Sequence, residues 1–212
     1  MKYKIFNLNP SYGTNTYLTW DETTLDACLI DPASAGKKVM EFIKDKKLKP
    51  KFIINTHCHY DHIGGNDYYK NGLNVPIYAS KDAASAINNP QKNLSAYVGE
   101  EVKSPKADKV ISHGDILKLG KSELKIIATP GHSTCGISIY SDGLLFSGDT
   151  LFAESVGRAD LPGGNMNILI QSIKKHLFIL PQSTIVLPGH GPATTIEDEK
   201  VGNPFVGFAA KL

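Results

Sequence analysis

The sequence predicts an α+β fold in which two mixed β-sheets face each other. Short apolar runs rich in β-branched residues recur along the 212 residues and are bounded by Gly, Pro, Asn or Asp, as is typical of strands. The pair Asp142-Gly143 between two such runs is the strongest short signal for a hairpin, so part of the sheet structure is antiparallel. A purely parallel, doubly wound sheet is therefore disfavoured. Between the runs, apolar residues recur at helical spacing in residues 35–47, 61–71, 80–88 and 166–180.

Eleven apolar runs are the predicted strands. In chain order they read KYKIFNL, NTYLTW, DACLID, KFIINT, VPIYA, ADKVI, DILKL, ELKIIATP, GISIYS, GLLFSGD and STIVLPGH. The segments CLIDPAS and LFSGDTL resemble each other, because each ends an apolar strand in an aspartate followed by a loop. This repetition favours two similar halves with facing sheets. Residues 88–107, rich in Asn, Lys, Ser and Pro, are predicted to form a long exposed loop.

The predicted helices depend on the spacing of their apolar residues. Residues 35–47 place Val39, Phe42 and Ile43 on one face. The last helix keeps helical spacing over Ile168, Leu169, Ser172, Ile173, His176, Leu177 and Leu180. No segment looks like an interdomain linker, so we expect residues 1–212 to form a single domain.

Composition excludes several classes of function. Hydrophobic residues make up 41% and charged residues 21%, which is ordinary for a globular protein. The net charge of +2 is spread along the chain, so no basic tract predicts nucleic-acid binding. No apolar stretch approaches the roughly 20 residues that cross a bilayer, and the first residues are not a leader, so we expect no membrane association and a cytoplasmic location. The three widely spaced cysteines, Cys28, Cys58 and Cys135, favour reduced thiols.

The segment THCHYDHIGG concentrates side chains that can bind metal ions. His57 and His59 leave the end of the strand KFIIN two residues apart, so both can point the same way and Cys58 points the other way. Asp61 and His62 follow before or in a first helical turn. A lone histidine in a loop is usually a solvated polar residue, but three histidines and an aspartate within six positions favour a binding site.

Three further strands end in a histidine or an aspartate. His132 follows ELKIIATPG, Asp149 ends LLFSG, and His190 follows TIVLPG. Residues beyond the ends of strands converge on a common crevice in α/β architecture, so we expect these side chains to meet the THCHYDH segment. The other histidines, His113 in a turn and His176 on an apolar helix face, lack this context and are predicted to be structural.

The combined pattern resembles the metallo-β-lactamase superfamily. It consists of H-x-H-x-D-H, His132 in TPGH, Asp149 in SGDT and His190 in LPGHG. The resemblance implies a four-layer αββα sandwich with metals at one edge, between the ends of the two facing sheets. It also implies that His57, His59 and His132 hold one ion, that Asp61, His62 and His190 hold the other, and that Asp149 bridges them.

Imidazole and carboxylate ligands suit two divalent ions, most simply Zn²⁺, with Fe²⁺ or Mn²⁺ as alternatives. Two ions about 3.5–4 Å apart share a water, lower its pKa to near neutrality and polarise a carbonyl oxygen. We therefore expect hydrolysis by a metal-bridging hydroxide, with Asp61 as the catalytic residue that orients the hydroxide and handles a proton. Cys58 and Cys135 have no free histidine to activate them, which favours a packing role for both.

Two segments beside the motif are similar to small hydroxyacylglutathione hydrolases of the glyoxalase II type. They are SVGRADLPGGN and LPGHGPATTIEDEKVGNPF. This resemblance implies a small acyl thioester as the substrate. The family more often has Thr at the position of Ala159, and full-length members carry a C-terminal helical domain that binds glutathione, for which we expect no counterpart here. Arg158 is a candidate clamp for a substrate carboxylate, or else an ion-pair partner of Asp160.

Two other activities use the same fold. A persulfide dioxygenase would hold a single Fe²⁺ by two histidines and one carboxylate, although such members tend to have AHDY where this chain has LPGHG. A lactonase would use the same two metals. A flavodiiron protein is disfavoured because its second ligand is Glu, where this chain has His59. A binding module without activity is disfavoured because no ligand is missing.

Overall fold

Two six-stranded β-sheets form the centre of the structure, a computed structural model that describes residues 1–99, 101–208 and 210. The first sheet contains, in order across it, β1 (Lys2–Asn9), β2 (Thr14–Trp20), β3 (Asp26–Ile30), β4 (Lys49–Ile54), β5 (Ile77–Ser80) and β6 (Lys109–Ile111). The pairs β1–β2 and β2–β3 are antiparallel, whereas β3, β4, β5 and β6 pair in parallel, so the sheet is mixed.

The second sheet is also mixed. Its strands are β7 (Ile116–Leu119), β8 (Ser122–Ala128), β9 (Ile137–Ser141), β10 (Leu144–Gly148), β13 (Ile185–Pro188) and β14 (Thr194–Thr195), with β7 and β14 at the edges. Only β10 and β13 pair in parallel. The predicted hairpin joins β9 to β10, and Asp142 and Gly143 both have the positive φ that this turn requires, at 48° and 77°. A short ribbon, β11 (Leu151–Phe152) with β12 (Ser155–Val156), follows β10.

Helices cover the outer faces of both sheets. They are α1 (Lys37–Asp45), α2 (Tyr60–Ile63), α3 (Asn66–Leu73), α4 (Lys81–Ala86), α5 (Met166–Ser172) and α6 (Ile196–Gly202), with a π-helical turn at Ile173–Leu177 that continues α5 and a 3₁₀ turn at Ser95–Val98. None of the helices in the described residues is long and apolar enough to cross a membrane.

Three apolar clusters account for the layers, because side chains alternate along each strand. Cys28 and Ile30 of β3 point between the two sheets, where they meet Ile126 of β8 and Phe146 of β10. Leu29 points outward into a cluster with α1, α3 and α4. On the far side of the second sheet, a third cluster contains residues of α5, its π-helical extension and α6. The order of layers is therefore helix, sheet, sheet, helix, as predicted.

The prediction of a single helix at residues 61–71 is wrong in detail, because two short helices, α2 and α3, occupy this segment. Gly64 and Gly65 lie between them, and a Cβ atom on either would approach a backbone oxygen of the loop after β3, Ala33 O at 2.5 Å or Ser34 O at 2.7 Å. The close approach of these two loops therefore requires both glycines.

The prediction that residues 88–107 form an exposed loop is only partly correct. Asn93 and Ser95 are fully buried, and the Asn93 side chain donates hydrogen bonds to the carbonyls of Ile87 and Val102. These bonds fix the loop to the end of α4. The sequence analysis also did not predict α6.

We expect Phe146→Ala to lower the free energy of unfolding by about 3–5 kcal/mol, because it opens a cavity between the sheets. Phe146 is fully buried, and its ring centroid lies 5.2 Å from that of Tyr17 on the opposite sheet. Denaturant unfolding followed by circular dichroism measures the change. The matched control is Ile179→Ala, at a side chain that is 74% exposed, for which we expect less than about 0.5 kcal/mol. An equal effect of the two substitutions would contradict this assignment of the core.

Candidate metal centre

All seven predicted ligands come together at one edge of the sandwich, beyond the carboxyl ends of strands from both sheets. His57, His59, Asp61 and His62 follow β4, and His132, Asp149 and His190 follow β8, β10 and β13. Their donor atoms form two groups, His57 with His59 and His132, and Asp61 with His62 and His190. No ion is part of the structure, so the donor atoms themselves must show whether they fit one.

The hydrogen bonds of the first group leave one ring nitrogen of His57 and of His132 available. Nδ1 of His132 lies 2.7 Å from the carbonyl oxygen of Arg158, which can only accept, so Nδ1 carries the proton. Nδ1 of His57 lies 3.1 Å from Thr56 Oγ1, whose own hydrogen is donated to Asp31, so this nitrogen also carries a proton. In a neutral ring of this tautomer Nε2 presents a lone pair, and His57 Nε2 is buried with no hydrogen-bond partner among the described residues.

His59 completes the first group by facing His132. Its Nδ1 lies only 2.9 Å from the Nε2 lone pair of His132. A hydrogen bond between the two rings, or one cation bound by both nitrogens, accounts for this short distance. The buried His57 Nε2 beside this contact completes a set of three imidazole nitrogens that suits a metal ion.

The second group has the spacing of ligands around a small ion. Nε2 of His62 lies 3.4 Å from Asp61 Oδ2 and 3.3 Å from Nε2 of His190, and His190 Nε2 lies 3.3 Å from Asp61 Oδ2. Tetrahedral zinc with ligands at about 2.0–2.1 Å places its donor atoms about 3.3 Å apart. The three contacts match this value.

Asp149 lies between the two groups. Its Oδ2 is 3.6 Å from His132 Nε2 in the first group and 3.5 Å from His190 Nε2 in the second, and its Oδ1 is 3.4 Å from His62 Nε2. Oδ1 is buried without a hydrogen-bond partner. A carboxylate in this position can contact both ions of a binuclear site, as the resemblance implies.

The two groups differ in charge. Burial lowers the pKa of His57 well below its usual value and lowers that of His59 to about 3, so these two imidazoles are neutral and can bind a cation. Burial also lowers the pKa of His190, but hydrogen bonds to Asp149 and Asp61 outweigh it and raise the pKa to about 9. Burial of His62 is likewise outweighed by Asp61 and Asp149, which raise its pKa. Without metal, the second group is therefore a set of ion pairs.

Asp31 supports the site, and the sequence analysis did not identify it as a site residue. Its Oδ1 accepts the backbone N–H of Thr56 at 2.7 Å, and its Oδ2 accepts the Thr56 hydroxyl at 2.5 Å. Oδ2 also accepts Nδ1–H of His62 at 3.0 Å, which directs Nε2 of that ring to the second group. Asp31 also lies close to His57 and His62 as a third possible group, but these hydrogen bonds already engage both of its oxygens.

Two residues of strand β2 fix the side chain of Asp61 and the loop that carries His190. Thr14 Oγ1 donates to Asp61 Oδ2 at 3.1 Å. The Asn15 amide donates to the carbonyls of Pro188 and Gly191, at 3.0 and 2.9 Å, on either side of His190. A strand of the first sheet thus fixes the loop that carries a ligand from the second.

Two glycines near the ligands cannot be replaced without movement of the backbone. Gly131 has φ of 135°, and a Cβ atom there would lie 2.3 Å from the backbone nitrogen of Leu169 in α5. A Cβ atom on Gly157 would lie 1.9 Å from the carbonyl oxygen of Asp149. Both glycines permit the close packing that brings His132 and Asp149 to the site.

The structure places Arg158 in an ion pair. Its guanidinium makes two hydrogen bonds of 2.8 Å with the carboxylate of Asp160, on an exposed part of the loop. Contact with a substrate stays a prediction for this side chain. His113 and His176 pack against each other, with ring centroids 5.1 Å apart, and neither belongs to a metal-binding group among the residues that the structure describes.

Two facing mixed sheets, helices on both outer faces and two groups of buried His and Asp donors at one edge define a metal-binding αββα sandwich. The chain belongs to the metallo-β-lactamase superfamily, whose family model matches residues 11–190. Among curated relatives, it is 37% identical to the probable metallo-hydrolase YqgX of Bacillus subtilis over 99% of this chain and 100% of that one. It is 31% identical to the hydroxyacylglutathione hydrolase GloC of Haemophilus influenzae, over 92% and 94% of the two chains.

Solved structures agree with this assignment. The B3 metallo-β-lactamase BLEG-1 superposes with a TM-score of 0.91 and 33% identity, over 97% of this chain and 99% of that one. ETHE1 from Myxococcus xanthus gives a TM-score of 0.83 and 29% identity, over 97% and 84%. TTHA1623 in a di-iron-bound form gives a TM-score of 0.82 and 32% identity, over 95% and 99%. The comparisons establish the fold and the superfamily, and superfamily membership together with the His and Asp donor groups implies divalent metal ions.

We expect Asp31→Asn to weaken metal binding by about 10–100-fold, the usual effect of removing a group that orients a ligand. An asparagine cannot supply the negative charge, and its amide can turn a donor toward Nδ1–H of His62. Titration of the metal-free protein with a chromophoric chelator as competitor measures the affinity. The control is Asp26→Asn, at the other end of β3, where the carboxylate pairs with Lys51. Equal affinities for wild type and Asp31→Asn would show that this carboxylate does not support the site.

We expect metal binding to release protons at neutral pH, and the release to come from the second group. His190, with a pKa of about 9 in the metal-free protein, is protonated below that value and must lose its proton to coordinate. The part of the release that His190 supplies should therefore shrink as the pH rises through about 9. Calorimetry in buffers of different ionisation enthalpy measures the release. His113→Gln should behave as wild type, and pH-independent uptake of both ions would contradict these charges.

Proposed function

We propose that this protein is a binuclear metal-dependent hydrolase of small acyl thioesters. The supporting observation is the pair of donor groups with Asp149 between them, which supplies a ligand set for two ions at one site. The thioester substrate is proposed from the GRADLPGG segment after Asp149 and from the similarity to GloC, which is a hydroxyacylglutathione hydrolase. Glutathione is one candidate for the thiol carrier.

The proposal assigns each ligand by its position. His57, His59 and His132 would hold one ion, Asp61, His62 and His190 the other, and Asp149 both. Two bound divalent ions, Zn²⁺ or alternatively Fe²⁺ or Mn²⁺, would polarise the thioester carbonyl and lower the pKa of a bound water to about 7. The remaining steps depend on the side chains of this chain.

Asp61 is the proposed catalytic residue. Burial raises the pKa of its carboxyl, but His62 and His190 outweigh burial and lower it to about 2, so the group is ionised at neutral pH. Thr14 donates to Oδ2 at 3.1 Å and fixes the orientation of the carboxylate. Oδ1 would then accept a hydrogen bond from the attacking water and take up its proton.

Direct attack by water is favoured because the described residues show no activated protein nucleophile. A nucleophilic Ser or Cys requires a histidine within hydrogen-bond reach as its base. In the described part of the chain, no serine or cysteine is hydrogen-bonded to a histidine, and Ser133 Oγ contacts Cys135 Sγ instead. The histidines next to Cys58 and Ser133 in the chain are His57, His59 and His132, and all three belong to the donor groups. No covalent acyl-enzyme is therefore expected.

Arg158 is proposed as a substrate contact only if its ion pair opens. Its bonds to Asp160 join two side chains that are 62% and 68% exposed, and ion pairs of this kind contribute little stability. A substrate carboxylate could therefore replace Asp160 as the partner of the guanidinium.

A persulfide dioxygenase with a single Fe²⁺ is the second candidate, supported by the similarity to ETHE1. Because the chain is similar to the metallo-β-lactamase BLEG-1, a β-lactam must also be tested as a substrate. A lactone tests the lactonase alternative.

Purified protein of known metal content should be assayed with S-lactoylglutathione, a cephalosporin chromophore, a homoserine lactone and glutathione persulfide. Thioester hydrolysis with the highest kcat/KM supports the proposal. Oxygen uptake that requires persulfide, with one iron per chain, would overturn it, as would preference for the β-lactam or the lactone.

We expect Asp61→Asn to lower kcat by about 10²–10⁴-fold, the usual contribution of a group that transfers a proton in the transition state. Metal content must be measured in the same samples, because Asp61 is also a proposed ligand. The matched control is Asp67→Asn in α3, where the carboxylate accepts a hydrogen bond from Asn71 on an exposed surface. An Asp61→Asn protein with full metal content and wild-type turnover would show that this carboxylate has no catalytic role.

A further inference from the structure

Two buried cysteines, Cys58 and Cys135, lie on the loops that carry the first donor group. Cys58 and Cys135 belong to the same apolar cluster and line the same cavity, and both are buried, with 5% and 4% exposure. Cys58 lies between His57 and His59 in the chain, and Cys135 lies three residues after His132. Both cysteines are free thiols. The hydrolysis proposed above uses neither of them.

The surroundings of the pair permit a small molecule to reach it. Both cysteines line a cavity of about 380 Å³ at the surface, together with His59, Lys92 and Ser133. Cys58 Sγ lies 3.7 Å from the carbonyl oxygen of Lys92, and Cys135 Sγ lies 3.4 Å from Ser133 Oγ. The third cysteine, Cys28, is fully buried between the sheets and does not line this cavity.

We propose that Cys58 and Cys135 form a reversible intramolecular disulfide that weakens metal binding by His57, His59 and His132. The oxidant is a low-molecular-weight disulfide that enters the cavity. One cysteine sulfur attacks a sulfur of this disulfide, its S–S bond breaks, and a mixed disulfide and one small thiol result. The second cysteine then attacks the protein sulfur of the mixed disulfide and releases the second small thiol. The two protons and two electrons lost by the cysteines are carried by the two released thiols.

The disulfide acts on the metal site through the backbone. A disulfide requires the two sulfurs at about 2.05 Å and the two Cβ atoms at about 3.5–4.5 Å, so the two loops must adopt the spacing that the bond imposes. Cys58 cannot move without its neighbours, His57 and His59, and the Cys135 loop is continuous with His132. A metal site tolerates displacements of only about 0.5 Å in its ligands. Oxidation therefore lowers the affinity of the first group.

The test is incubation of the metal-loaded protein with 2-hydroxyethyl disulfide, followed by desalting. Intact mass, peptide mapping and metal content are then measured on one sample. We expect the loss of two hydrogen atoms, a peptide that links Cys58 to Cys135, and metal affinity reduced by about tenfold or more. Dithiothreitol followed by added metal should restore the original mass and metal content. These measurements do not depend on whether the substrate is a thioester.

Single-cysteine variants make the assignment specific. Cys28→Ser should form the disulfide and lose metal as wild type does, because Cys28 lies in a different cluster. Cys135→Ser should form no internal disulfide and should keep its metal under the same treatment. The proposal is overturned if wild type stays reduced, if Cys135→Ser loses metal equally, or if the linked protein retains its metal with unchanged affinity.

Discussion

The packing of the two sheets against each other determines where every ligand lies. Residues of β3, β4, β8 and β10 fill the space between the sheets, and the ends of these strands carry His57, His132 and Asp149. Because the interior is close-packed, the separation of the strand ends has little freedom. Polar bonds across the same edge add to this constraint, since Asn15 and Tyr17 of the first sheet both donate to the carbonyl of Pro188 in the second. The site is thus built on rigid elements rather than on isolated loops.

The rigid site also buries polar donor atoms. His57 Nε2 is buried without a hydrogen-bond partner among the described residues, and the buried Asp149 Oδ1 lies 3.4 Å from His62 Nε2. In the second group, ion pairs of His190 with Asp61 and Asp149 offset the desolvation of the buried charges. The raised pKa of His190 reflects these ion pairs. Bound cations would supply partners for both His57 Nε2 and Asp149 Oδ1. Ions that bind these donors in the folded chain and not in the unfolded chain would therefore stabilise the fold.

The sequence was sufficient to predict the parts of the site that share one local pattern. His132, Asp149 and His190 each follow an apolar strand, and the positions of strand ends follow from hydrophobic runs bounded by Gly and Pro. Asp31 also ends an apolar strand, in the segment CLID. The neighbouring sequence, however, does not show whether such a carboxylate binds a metal ion or orients the residues that do. Its role depends on contacts with Thr56 and His62, which are distant in sequence.

Other features could not be predicted because they depend on tertiary contacts. The helical spacing across residues 61–71 does not show that Gly64 and Gly65 pack against the loop after β3. In contrast, α6 had a local signal that was not used, since Thr195 precedes three acidic residues and its hydroxyl accepts the backbone N–H of Asp198.

Anomalous diffraction from crystals of the metal-loaded protein tests the central claim most directly. The account predicts two peaks, one in contact with His57, His59 and His132 and the other with Asp61, His62 and His190, with Asp149 touching both. A single peak, or an ion held by Asp31, His57 and His62, would contradict the binuclear site.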